Sequence, residues 1–464
     1  MPIKKFALFH MGTDCMYGLE FVAAEILKSG HKIKWFDADF DGVLENVIQY
    51  KPDFICFSPL TTFFKSAREL AHKIKKIIPG VSSVFGGAHV SALPEVVELE
   101  EIDIIVVGPV FGTIDNIINN RGSSGLVVKG NLIPIDQIMP AKREYYTDIP
   151  RIGSRHRKAI MSHFGCPYNC SFCSTSRVKK AYSPDEYKKF WLTRRPIKNL
   201  IEEASIFLEF PTKEVTLGDD DMLYGDQIES WLSEFSSAWK QKINLPIYGF
   251  VNPNTVVRAS DKTIEILSGL VTTVAMGVQT SRPESLRLFN RQYQSESMIK
   301  NAIDRLKSYN IRVKIELIIG LPVADPIGDA IDTIKLGQRV AGGSFTATFP
   351  LMVYPGTILY DYCKNNNIAL HGDDISYDLY SGIGAIKFDS CTQRRIKNLS
   401  KLGTFFIKYN IDEQWIRSLI DIELTDKASK SISESNYLES LIFRQGDHVK
   451  EEFSNLLEKD GIRY

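Results

Sequence analysis

Three cysteines within eight residues, Cys166-Pro-Tyr-Asn-Cys170-Ser-Phe-Cys173, constrain this chain more than any other feature. They follow directly on Ala159–His163, a short apolar run of the kind that forms a buried strand. Thiolate is the soft ligand that iron–sulfur clusters use, so three on one tight loop suit three irons of a 4Fe–4S cluster. The fourth iron is then left without a protein ligand. An open iron suits a cluster that binds and cleaves a substrate rather than one that only relays electrons. The competing reading is a structural zinc site with His163 as fourth ligand. Zinc knuckles usually pair two-residue spacings, so the cluster is the expected occupant of Cys166, Cys170 and Cys173.

Seven cysteines is an odd number, and Cys15, Cys56, Cys363 and Cys391 stand alone. That argues against a disulfide framework and for a reducing compartment. Cys363 and Cys391 are secondary candidates as hydrogen-atom donors, since isolated cysteines more often behave as small buried hydrophobes. A length of 464 residues predicts two to four domains, and 44% apolar residues is ample for packed cores. Lys plus Arg and Asp plus Glu balance at 56 each, so no global field draws nucleic acid or an anionic membrane. The apolar runs are strand-sized, and the start meets His10 and Asp14 too early for a signal peptide. The expectation is a cytoplasmic protein with no membrane span and no nucleic-acid partner.

The first 120 or so residues alternate between strand and helix patterns. Phe6–Phe9, Ile33–Phe36, Phe54–Ser58, Ser83–Gly86 and Ile102–Gly108 read as buried strands. Between them Leu19–Leu27, Val43–Tyr50 and Phe63–Ile78 carry apolar residues at helical spacing. Such alternation predicts an α/β, doubly wound (Rossmann-like) sheet over residues 1–125, with ligands outside the carboxyl ends of its strands. Residues 126–157, preceded by Gly122-Ser-Ser-Gly125, read as a linker. A second alternation spans 158–363, with strands at Ala159–His163, Glu214–Gly218, Ile247–Val251, Thr273–Gly277, Val313–Ile319 and Phe345–Leu351. Six strand–helix units predict a partial (β/α)6 TIM-type barrel, whose active site belongs at the carboxyl ends of its strands. Residues 364–464 are charged and read as a mostly helical C-terminal domain.

Gly165-Cys-Pro-Tyr-x-Cys-x-Phe-Cys173 resembles the signature of the radical S-adenosylmethionine (SAM) superfamily. The resemblance implies that SAM chelates the open iron and is cleaved reductively to methionine and a 5′-deoxyadenosyl radical, with Phe172 near the adenine. Further motifs appear in the family's order. Leu217-Gly-Asp-Asp-Asp-Met222 resembles the acidic motif of the cobalamin-linked branch, which makes Asp219 and Asp220 candidates for the SAM ammonium. Their plainer role is a helix N-terminus, where carboxylates complement the macrodipole. Gly277-Val-Gln-Thr-Ser281 resembles a SAM-contact motif that often carries Glu where Gln279 stands. Glu316-Leu-Ile-Ile-Gly-Leu-Pro322 resembles the fifth-strand motif, whose Gly320 lets backbone approach the adenosine. There the usual Gly-Glu is replaced by Val323-Ala-Asp325, and Tyr354-Pro-Gly-Thr357 resembles the segment that closes the domain. Arg194-Arg-Pro196 is read as helix-entry solvation rather than an anion clamp.

A doubly wound domain before such a barrel resembles a cobalamin-binding arrangement. The residues that carry this are Met11 and Gly12 after the first strand, Ser58 and Thr61 after the third, and Gly86, Gly87 and His89 after the fourth. The Asp-x-His-x-x-Gly motif of methionine-synthase-like domains is absent, as is common in the radical SAM branch, which binds cobalamin without a protein imidazole; His89 reads as a surface residue before it reads as a cobalt ligand. The turn after the fifth strand is Gly108-Pro-Val-Phe-Gly112, without the carboxylates usual there. Asp37, Asp39 and Asp41 read as a solvated strand end rather than a calcium loop.

The resemblance implies three cofactors: a 4Fe–4S cluster, SAM and cobalamin. It implies a cobalamin-dependent radical SAM methyltransferase acting on an unactivated carbon of a small molecule or peptide, served by a donor such as flavodoxin or ferredoxin. A second SAM would re-methylate the cobalt. Two alternatives stay open: a radical cyclase, oxidoreductase or rearrangement enzyme with no methyl transfer, and a non-catalytic cobalamin or metal carrier.

Overall fold

The computed structural model describes residues 2–12, 17–369 and 384–445. Cys15 lies outside them. The N-terminal sheet has six parallel strands: β1 Lys5–His10, β2 Lys32–Asp37, β3 Phe54–Phe57, β4 Ser82–Phe85, β5 Ile104–Val107 and β6 Leu126–Lys129. Their order is β2-β1-β3-β4-β5-β6, so direction reverses beside β1, where a doubly wound sheet opens its ligand crevice. Near-continuous apolar strands such as Phe54-Ile-Cys-Phe57 bury both faces under helices.

The sixth strand and the chain after it correct the reading of 126–157 as a linker. Leu126-Val-Val-Lys129 pairs in register with Ile104–Val107, and four residues behind a Gly-Ser turn are too few for a periodic signal. Beyond it, Ile138, Arg143, Tyr145, Tyr146, Ile149 and Ile152 are all buried.

The second sheet runs β7 Arg157–Ile160, β8 Glu214–Leu217, β9 Ile247–Val251, β10 Val271–Gln279, β11 Arg312–Ile319 and β12 Phe345–Pro350. The strands pair consecutively and in parallel, and among the described residues β7 and β12 do not meet, leaving a partial barrel. On β11, Val313, Ile315, Leu317 and Ile319 join the core under the helices, so Lys314 and Glu316 face the lumen. The helix Ser390–Lys408, capped by Asp389, packs along β12. The helix Asp426–Gln445 reaches back to the amino ends of β8 and β9. There Arg444 pairs with Glu214 and lays its guanidinium 3.4 Å from the Tyr248 ring centre.

A buried ionic network joins the two sheets. Arg143 donates to Glu20 (2.9 Å) from the first helix, to Glu203 (3.2 Å) from the helix Ile197–Ser205, and to the Ala159 carbonyl (2.9 Å) on β7. Arg195 pairs with the other side of Glu203, and the Tyr145 hydroxyl donates to Glu20 at 2.5 Å. Burial pushes the Glu20 carboxyl up. For Glu203 burial is outweighed by Arg195 and Arg143, which hold its carboxyl below the usual range.

Removing one member of such a cluster strands a charge in a dry site. Arg143→Met is expected to lower unfolding free energy by about 3–5 kcal/mol, measured by denaturant titration. A second prediction concerns Asp329, buried on the helix Pro326–Ala341 with Ser285 donating to it at 2.5 Å, whose carboxyl burial pushes up to about 6. Its folded pKa lies above the unfolded one, so the folded state binds the extra proton and stability falls as pH rises from about 4 to about 6. Asp329→Asn is expected to flatten that slope in denaturant melts taken across the window.

Candidate functional site

The cysteine loop leaves β7 at its carboxyl end and runs to the helix Thr175–Lys180. It is pinned from several sides. Gly165 N–H donates to the Trp191 carbonyl (2.9 Å), and Cys166 N–H to the Tyr187 hydroxyl (3.1 Å). Ser171 donates through its hydroxyl to the Leu288 carbonyl (2.5 Å), and its own carbonyl accepts from Leu359 N–H (2.9 Å) after the Pro-Gly-Thr segment. Phe172 tilts against Phe289 at 4.6 Å. All six described cysteines are free thiols. Burial raises the Cys166 thiol and pushes Cys173 up to about 11, the opposite of what a bound cation does to a ligating thiol. His163 turns Nδ1 to Asp219 at 3.1 Å, and among the described residues no three of Cys166, Cys170, Cys173 and His163 bring their ligand atoms close enough to share one ion, which counts against the zinc site. Three free cysteines on one pinned loop fit three irons of a 4Fe–4S cluster, with one iron left open.

The acidic triplet after β8 divides into three roles. Asp219 is fully buried and already engaged: it accepts from Ser162 N–H (2.6 Å), His163 Nδ1 and Arg194 Nη1 (3.0 Å), and these partners outweigh burial and hold its carboxyl low. It braces the loop rather than waiting for a ligand. Arg194 is not solvated: it lies 4.3 Å from the Trp231 ring centre and donates to the Met222 and Tyr224 carbonyls. Asp220 is exposed beside the second cavity and accepts from Thr175 at 3.2 Å, and the protein packed around it raises its carboxyl. Both Asp221 oxygens lie 3.0 Å from the Thr255 hydroxyl, which donates to them, and burial pushes the carboxyl up to about 7.

The remaining barrel candidates fall along β10 and β11. Gln279 ends β10 with φ 71° and folds its amide over Gly277, where a Cβ would lie 2.3 Å from it. Glu316 is in the lumen, 3.2 Å from Lys314 Nζ. Gly320 has φ 76°, and the group a side chain there would strike is Ile396 of the helix Ser390–Lys408, at 2.7 Å. That packing is a reason for glycine that the motif alone did not reveal.

In the N-terminal domain an apolar cavity of about 280 Å³ opens between the sheet and its flanking helices. Ser58, Gly86, Gly87 and Gly108 stand at its strand-end mouth, and Met161, Phe164, Ser174 and Thr175 of the cluster loop form its other wall. A Cβ at Gly87 (φ 86°) would lie 2.6 Å from Ser58 Oγ, and one at Gly108 (φ 79°) 2.0 Å from the Tyr182 hydroxyl. That hydroxyl is buried without a partner beside the turn that lacks carboxylates. A deep apolar slot under a side-chain-free rim, with an unused donor beside it, fits a nucleotide-tailed cofactor such as cobalamin.

Met11, Gly12, Thr61 and His89 stand outside this cavity's walls. His89 Nδ1 lies 3.1 Å from Thr61 Oγ1 and its ring 4.1 Å from Phe64, and burial lowers its pKa to about 4. Gly12 is held by Arg151, which also pairs with Asp37 (2.5 Å) and Asp39 (3.1 Å). Those two carboxylates are therefore anchors of the first-strand loop rather than a solvated strand end. Arg143, Arg291 and Tyr182 escaped sequence reading because nothing local distinguishes them from surface residues.

A doubly wound cradle walled by a three-cysteine barrel loop defines a cobalamin-dependent radical SAM enzyme. Residues 16–118 match the B12 binding domain and residues 160–334 the Radical SAM superfamily, so the chain carries both domains in that order. Uncharacterized methyltransferase PH0819 of Pyrococcus horikoshii is 25% identical over 390 residues, 76% of this chain and 79% of that one. The radical S-adenosylmethionine methyltransferase TsrM of Kitasatospora setae, solved with tryptophan substrate and a SAM analogue, superposes with a TM-score of 0.70 at 13% identity, covering 97% of this chain and 99% of its own. The cobalamin-dependent S-adenosylmethionine radical enzyme OxsB, with aqua-cobalamin, gives 0.66 at 12% identity, covering 99% of this chain and 76% of its own. Among the described residues no helix is long and apolar enough to cross a membrane.

The two halves of the site can be separated by mutation. Cys170→Ala is expected to abolish iron binding while corrin is retained. Gly87→Val is expected to reduce corrin content at least about tenfold with iron unchanged, as a branched side chain at positive φ fills the rim. Iron assay and visible spectra of the corrin check both.

Proposed function

We propose that this enzyme methylates an unactivated carbon of a small molecule or peptide. The observation that carries the reading is the shared cavity: Met161, Phe164, Ser174 and Thr175 of the cysteine loop wall the same space as Gly86, Gly87 and Gly108. When bound, the cluster with SAM supplies a 5′-deoxyadenosyl radical and cobalamin supplies a methyl group. The chain's own part is to orient, to exclude water and to keep the two chemistries adjacent. In support, one curated relative is named a methyltransferase and one structural neighbour is a methyltransferase with tryptophan bound.

A second chamber, of about 500 Å³, lies against β7, β8 and β9 at the open side of the barrel, with Gly218 and Asp220 above, Tyr248 and Arg444 below, and Tyr17, Leu60 and Tyr146 across from the strands. Its size suits a small molecule or a peptide side chain. Tyr17, Tyr146 and Phe250 give it aromatic walls, and Arg444 brings the C-terminal helix to its floor. The reacting carbon would sit at the upper end, beneath the shared cavity. A radical rearrangement without methyl transfer uses the same chamber, and the products distinguish the two. The one-electron donor is a flavodoxin- or ferredoxin-type protein in this reading.

Anaerobic reconstitution with iron, sulfide and cobalamin, followed by SAM under reductant, is the test. About four irons, one cobalt and both 5′-deoxyadenosine and S-adenosylhomocysteine are expected. 5′-Deoxyadenosine with no S-adenosylhomocysteine would leave a radical enzyme that moves no methyl group.

A further inference from the structure

Arg291 is buried just beyond the helix Pro283–Leu288, and its guanidinium reaches the cysteine loop. Nη1 donates toward Cys170 Sγ at 3.7 Å. Nη2 donates to the Gly277 carbonyl (2.7 Å) and to Gln294 Oε1 (2.9 Å), and Nε reaches the same amide oxygen at 3.3 Å. Gln294 is fixed in turn, because its Nε2 donates to the Val278 carbonyl at 2.6 Å. The side chain is thus held on two backbone positions of the β10 end and aimed at one sulfur.

Charge decides what this arrangement is for. Among the described residues no carboxylate pairs with Arg291: its oxygen acceptors are a peptide carbonyl and a neutral amide. A buried guanidinium without a counter-charge is costly, so such groups are paired where they persist. The group that its Nη1 does reach is Cys170 Sγ, one of the three sulfurs that would hold the cluster. Hydrogen bonds and positive charge at cluster sulfurs favour the reduced state, which carries one more electron.

We infer that Arg291 is a positioning residue that donates to the Cys170 sulfur and raises the reduction potential of the 4Fe–4S cluster. The inference rests on the reading that the three cysteines hold that cluster. It also explains why residue 294 is an amide: a carboxylate there would cancel the charge that the sulfur sees. Through the Gly277 carbonyl the same side chain fixes the strand end where SAM contacts are expected, so cluster and SAM site are set by one group.

The test is an anaerobic potentiometric titration of the reconstituted full chain without SAM, followed by electron paramagnetic resonance after iron has been counted. Arg291→Gln is expected to shift the one-electron reduction equilibrium at least about tenfold toward the oxidised cluster, about 59 mV in potential. Arg291→Lys, which keeps the charge, is expected to recover most of that shift. Gln294→Glu leaves Arg291 in place but neutralises it, and is expected to lower the potential in the same direction. That variant decides the matter if Arg291→Gln takes up no iron. An unchanged potential in either iron-loaded variant overturns the inference, as does a lysine variant no better than glutamine. A wild-type chain that takes up no iron would count instead against the three-cysteine cluster itself.

Discussion

Arg143 is the side chain on which the arrangement of this molecule turns. It lies in the stretch between the two sheets, and its partners Glu20, Glu203 and the Ala159 carbonyl belong to the N-terminal helix layer, the barrel helix layer and β7. Two carboxylates and two guanidiniums in a dry interior are stable only with every partner in place. The network therefore specifies one docking of cradle on barrel. Alternatives that slide the domains leave a buried charge unpaired, which apolar contacts alone would tolerate. The cavity walled by Gly86, Gly87 and the cysteine loop exists because that docking is fixed.

What could be read from the sequence was local. The three-cysteine spacing, the order of the barrel motifs and the strand positions depend on neighbours within a few residues. Ile247–Val251 stands where its apolar run places it, and the others agree to within a few residues. What escaped depends on partners far away in the chain. Leu126–Lys129 is a strand because Ile104–Val107 presents an open edge. Arg194 looks like a solvated helix entry until Asp219 and Trp231 close around it. Asp219 looks like a cofactor ligand until Ser162, His163 and Arg194 are seen to use its oxygens. Gly320 fits its motif, yet the close approach that excludes a side chain comes from Ile396 in a region with no recognisable signature.

The C-terminal helices also join the chemistry through packing. Ile396 sits over the fifth-strand turn, and Arg444 fills the amino end of the lumen against Tyr248 and Glu214. A barrel of six strands leaves its lumen open at the side and base, and a reactive radical needs both screened from water. In this chain the base is screened by a segment that other readings would treat as an appendage.

The cysteine loop has a consequence for how the molecule is made. Its sulfurs belong to the first turn of the barrel, but the residues that hold it come late: Leu288 and Phe289 after β10, and Leu359 after β12. A growing chain therefore exposes all three cysteines long before it has synthesised what fixes their spacing. Durable iron delivery must wait for nearly the whole barrel, and thiols synthesised early must be kept reduced and metal-free in the interval. Overproduction that outruns this protection would fill the loop with the wrong metal or cross-link it, which makes the order of synthesis as much a part of this active site as its coordinates.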